Sequence, residues 1–167
     1  HHLRFVSERE YISEDFIFTF MFSINSNRVG LLPNTYYHYR LNWNSLTKVV
    51  RLDRMAKAEL YANYVSSIIL KMGFTQQETR FAIGYYIGIA RTAAISVFQS
   101  HLSLREKKKW FKEQVNSEFF QDVKKSYPVS ILPVKQKICL WAMLHKCFWL
   151  TYLIIVIFSK IRKNEYR

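Results

Sequence analysis

Hydrophobic positions recur at intervals of three and four over most of this chain, the period of a helix that buries one face, and stretches of strict alternation are short. The first helical segment spans about Glu14 to Asn25, where Phe16, Ile17, Phe20, Met21 and Ile24 share a face. Ser13 stands at the capping position with acids in the turn behind it, and residues 3–12 read as extended or loop. β-Branched and aromatic residues at 29–32 and 35–39, either side of Pro33-Asn34, predict two short strand pieces. From about Leu46 or Arg51 to Lys71 the helical period returns, with Tyr61, Val65, Ile68 and Met72 on one face and Gly73 as its natural stop.

Thr75-Gln76-Gln77-Glu78 spells a capping box, so the next helix is expected to open there and run to about Gln99. It is apolar nearly all round (Phe81, Ile83, Tyr85, Ile87, Ile89, Ala94, Ile95, Phe98), which suits the buried centre of a helical layer. Gly84 and Gly88, one turn apart, predict close approach of a neighbouring helix, as a packing device before a membrane-dimer seam. Ser103-Leu104-Arg105-Glu106 is a second capping box, opening a basic helix; residues 117–125 add a short helical piece that Tyr127-Pro128 ends. Pro133 falls in the first turn of one final helix.

Composition supports a helical reading, since 4 Gly and 3 Pro among 167 residues are too few for an all-β chain, and 50% hydrophobic content fills a core. Charge changes the picture more. Residues 101–167 hold 14 Lys+Arg against 5 Asp+Glu, whereas residues 1–100 hold 11 against 7, so the net +13 is concentrated beside the most apolar segment. That pairing points to an anionic membrane surface and away from nucleic acid, because the aromatics lie in apolar runs and are not interleaved singly with cations. Cys139 and Cys147, eight positions apart in one apolar run, cannot bridge within a helix and suit a reducing cytoplasm. No Cys/His cluster has zinc spacing, and no signal-peptide pattern is visible near the start, where the chain reads as a piece of something longer.

Four of the first 100 residues' seven acids fall between Glu8 and Asp15, and Glu14-Asp15 are adjacent. By local pattern alone an acidic pair after Ser is a helix start favoured by the macrodipole. Tyr36, Tyr37, Tyr39 and Arg40 form a second group, in which a guanidinium and phenol hydroxyls suit a diphosphate or a sugar; alternating Tyr and His on a strand equally suits simple packing. His38 is a metal ligand only in a lesser reading.

The surrounding residues add context. SEREYISEDFIFTF, then LLPNTYYHYRLNWNSLT, then LSLREKKKWFKEQVNSEFFQDVKKSYP and ILPVKQKICLWAMLHK, resemble in that order the later part of bacterial family-2 glycosyltransferases that build capsule, exopolysaccharide or lipopolysaccharide. The resemblance covers about Leu3 to Lys163 and rests on the order of the segments more than on any one of them. It implies a mostly α chain holding a remnant of the acceptor half of a GT-A α/β domain, a short helix plus a few strands, followed by a helical layer. The implied divisions are residues 1–47, 48–130 and 131–167. It assigns Asp15 the role of general base in an inverting transfer, with Glu14 as its less certain partner and Tyr37, Tyr39 and Arg40 binding substrate. The implied partners are a nucleotide-sugar and a glycan or lipid-linked acceptor at the inner face of the cell membrane. A divalent metal, Mg or Mn, is expected in the full-length enzyme and none on this chain, which has no Asp-x-Asp and no nucleotide-binding half.

The run from Ile138 to Phe158 is interrupted by His145 and Lys146, so it only just reaches the length of a span. Trp141, Phe148, Trp149 and Tyr152, followed by Lys160, Arg162 and Lys163, fit an in-plane anchor better, and docking on protein equally well. A basic helical module without enzymatic activity is the alternative that explains this tail.

Overall fold

The computed structural model describes residues 3–7, 10–30, 33 and 49–165. They are mostly helical, with seven α-helices, one 3₁₀ turn and no strand among the described residues. They gather into two units, residues 1–50 and 51–167. Of the expected strand pieces, Val29 and Gly30 have no regular structure, while residues 31–32 and 35–39 lie outside the described residues.

In the first unit, residues 3–7 have no regular structure and lead into a turn in which the amides of Glu10 and Tyr11 both donate to Ser7 O. Helix α1, Glu14–Ile24, follows. Ser13 precedes it in the left-handed region (φ 58°) and accepts no capping hydrogen bond, so the expected hydroxyl cap is replaced by a backbone reversal. Ile17 is buried and Phe20, Met21 and Ile24 are half-buried, but Phe16, expected on that face, is exposed. Phe5 instead stacks on Phe18 (centroids 4.1 Å apart), tying the segment before the turn to the helix.

The second unit is built around a central helix. Helix α2, Arg54–Lys71, buries Met55, Ala58, Tyr61, Ala62, Val65 and Ile69, and packs along α3, Arg80–Gln99. Between them Gly73, at φ 84°, makes a Schellman reversal: Phe74 N–H donates to Ile69 O (3.3 Å) and Gly73 N–H to Leu70 O (3.0 Å). The Thr75 box forms only in part, with Glu78 accepting from the Thr75 amide (2.9 Å) while Thr75 Oγ1 accepts from Gln77. Residues 76–79 are turns, and α3 starts at Arg80, later than the spelled box implied.

Helix α3 touches α2, α4 (Leu104–Val115), α5 (Glu118–Ser126), α6 (Val134–Leu144) and α7 (Phe148–Glu165), which makes it the centre expected from its composition. Phe81, at its start, is the exception and is exposed. Gly84 lies against the Tyr127 ring, where an added Cβ would meet it at 3.1 Å, whereas Gly88 has open space beside it. The close approach predicted for the pair therefore holds at Gly84 only, and the neighbour there is a tyrosine after α5.

The box at Ser103 forms completely: Glu106 N–H donates to Ser103 Oγ (3.3 Å) and Ser103 N–H to the Glu106 carboxylate (2.8 Å). Ser117 caps α5 through Phe120 N–H. The single final helix expected after Pro133 is two helices. Lys146, at φ 58°, closes a second Schellman reversal in which Cys147 N–H donates to Ala142 O and Lys146 N–H to Met143 O, both 2.9 Å. Helices α6 and α7 pack on each other and on α3, with Phe148 and Tyr152 joining Phe98 at 5.5 and 5.4 Å between ring centroids.

Candidate functional site

Glu14 and Asp15 occupy the first turn of α1, Glu14 half-buried and Asp15 exposed. The left-handed Ser13 turns the chain abruptly into the helix, so both carboxylates stand where the amide ends of the helix favour negative charge. Asp15 Oδ1 accepts from the Phe16 amide at 2.9 Å, a contact that restrains the carboxylate at the helix mouth. An exposed carboxylate held this way can take a proton from a hydroxyl that approaches from solvent. Tyr37, Tyr39 and Arg40, the substrate-binding candidates, lie outside the described residues, as does His38.

Among the described residues no group of three or more His, Cys, Asp or Glu side chains is placed to hold a metal ion. Glu14 and Asp15 are successive residues in the first turn of α1, and among the described residues no third His, Cys, Asp or Glu joins them in a group that could hold a divalent ion.

Buried polar groups in the second unit were not singled out by the sequence. Lys107, 7% exposed, donates through Nζ to Phe98 O (2.9 Å) and Ser100 O (2.8 Å), closing the carboxy-terminal end of α3 from the neighbouring helix. Burial pushes the Tyr86 hydroxyl far above its usual range, the charge of Glu59 pushes it further, and a hydrogen bond with Ser117 partly offsets both. Burial also raises the Glu59 carboxyl. Near Cys139, Arg91 has a buried Nε without a hydrogen-bond partner. The sequence signal for these groups is slight, since Lys107 stands among other lysines of a basic helix and Glu59, Tyr86 and Arg91 are isolated polar residues within helices that pack on the core.

At the mouth of α2, burial pushes the Asp53 carboxyl up, but hydrogen bonds from Lys57 and Arg51 and their charges outweigh this and hold it below its ordinary value. Trp110 Nε1 donates to Leu52 O (3.0 Å), so α4 holds the entry to α2.

No protein family, no curated protein and no solved structure matches the chain.

Proposed function

We propose that this chain is the acceptor-side, carboxy-terminal part of an inverting family-2 glycosyltransferase acting in surface-polysaccharide synthesis. In this reading residues 1–47 are the remnant of a GT-A domain, and Asp15 is its general base. The observation that carries the proposal is the order of four segments along the chain: the Ser-Glu-Asp helix start, the Tyr-rich stretch, the basic helix with its Tyr-Pro, and the Leu-Pro-x-Lys-Gln-Lys segment. The exposed position of Asp15 at the start of α1 supports it.

The chemistry asks little of the fragment beyond that carboxylate. As an acceptor hydroxyl oxygen bonds to the anomeric carbon, the bond from that carbon to the nucleoside diphosphate breaks. The hydroxyl proton passes to Asp15 at the moment it becomes acidic. Glu14 adds negative charge beside the base, and Tyr37, Tyr39 and Arg40 are proposed to hold substrate. Donor binding and a divalent metal belong, in this reading, to the other half of the enzyme.

Calorimetric titration of the chain with UDP-sugars and GDP-sugars is therefore expected to give no binding, and micromolar affinity would sink the reading of a donor-less part. In the complete enzyme Asp15→Asn is expected to abolish transfer while sparing donor affinity; retained turnover would remove Asp15 from the role of base.

A further inference from the structure

We infer that one face of α7 is a docking surface for an anionic lipid bilayer. The face consists of Trp149, Leu150, Leu153 and Ile157, which are 62%, 38%, 55% and 46% exposed. Their spacing places them in one arc of the helix, and Phe148, Thr151 and Ile155 on the other side are buried. A surface helix that packs one face on a core ordinarily turns polar residues outward, and here the outward face is aromatic and aliphatic.

Exposure alone does not select this face, since Leu60 and Leu70 on α2 and Phe81 on α3 are exposed as well. Charge does. Residues 123–164 hold eight Lys and Arg and no Asp or Glu, while 11 of the chain's 12 acids precede residue 123. An apolar face embedded in acid-free, cation-rich sequence complements a surface of negative headgroups over acyl chains. The tryptophan supplies the side chain most at home at that boundary.

Among the described residues α7 does not reach the length of a span. The apolar part of α7 is Phe148–Ile157, a stretch of about 15 Å at 1.5 Å per residue against a hydrocarbon core of about 30 Å. Helix α3 is long and apolar enough to cross, but half of its apolar window is buried among the other helices, as a core helix is. Helix α7 therefore lies along the interface. This inference does not depend on the catalytic reading, because neither Asp15 nor a sugar nucleotide enters it.

The test is co-sedimentation of the full chain with phosphatidylcholine vesicles, with and without phosphatidylglycerol. Binding is expected to the anionic vesicles only and to weaken as salt is raised. Trp149→Ser with Leu153→Ser is expected to lower vesicle partitioning by roughly tenfold or more, and Leu60→Ser on α2 to leave it unchanged. Circular dichroism checks that each variant keeps its helices. Quenching of the unaltered chain's tryptophan emission by brominated lipid is expected on the same vesicles and needs no variant. The proposal is overturned by absence of binding to anionic vesicles, by equal binding to phosphatidylcholine alone, or by a double variant that partitions like the parent. It is equally overturned if sedimentation equilibrium shows a dimer that the double variant dissolves, because a second copy then covers the face.

Discussion

Lys107 stands in a run of three lysines that reads as a solvated helix face, yet its neighbours Lys108 and Lys109 are exposed and it is buried. What distinguishes it is position: the α-helical period turns residue 107 toward α3 together with Trp110 and Phe111, and the carbonyls ending α3 accept its ammonium. Nothing in the sequence gives a reason to choose among the three lysines. Lys107→Met keeps the aliphatic stem and removes the donor, leaving two carbonyls short of a partner. It is expected to lower the unfolding free energy by about 2–3 kcal/mol, measured by urea denaturation. A loss within error would mean that water replaces the ammonium at no cost. The catalytic candidates stand differently: Glu14 and Asp15 were legible as a pair and α1 does begin at them, while Tyr37, Tyr39 and Arg40 fall outside the described residues.

At the level of elements, capping chemistry was legible in part: the Ser103 box and the Gly73 stop formed, while Ser13 accepts no capping hydrogen bond and the Thr75 box closes only partly. Ser103 and Gly73 were readable because each residue type has few other uses at such a spot: a hydroxyl three residues before a carboxylate, and a residue free to take positive φ. The reversal at Lys146 was not readable, since lysine at positive φ carries no sequence signature and the apolar run on both sides suggested one helix. With the break, α6 and α7 pack on each other and each also packs on α3. A non-glycine residue in that conformation costs about 1–2 kcal/mol, and a glycine there would return part of the gain through its freer unfolded chain. Lys146→Gly is thus expected to raise the unfolding free energy by up to about 1 kcal/mol. A lower midpoint in the same urea titration would show that the lysine side chain contributes more than its backbone costs.

Across the whole molecule, charge is the most unbalanced property. With 25 Lys and Arg against 12 Asp and Glu, cations outnumber acids about two to one, and their mutual repulsion opposes the compact state. Screening should relieve it. The melting temperature is expected to rise as sodium chloride goes from about 0.02 to about 0.5 M, over which the Debye length shrinks several-fold. A fall would mean that attractive pairs outweigh the net repulsion. The mostly helical class was legible from the period of three and four and from the scarcity of glycine and proline. The order in which helices pack was not, because α3's role as hub depends on contacts between residues far apart in the chain.

The reversal between α6 and α7 also separates the two cysteines into unlike chemical settings. Cys139 is 2% exposed, and burial pushes its thiol up to about 11, with the charge of Arg91 only partly opposing. Cys147 sits at the turn, half-buried, its thiol donating to His145 O at 3.4 Å. Because the thiolate is the reactive form, a maleimide dye near neutral pH is expected to label one thiol per native chain and both after denaturation. Labelling of both in the native state would mean that α6 opens readily. The chain thereby carries a single addressable handle two residues from Trp149, at the entrance to α7, and a fluorophore can be placed beside that helix without altering any residue.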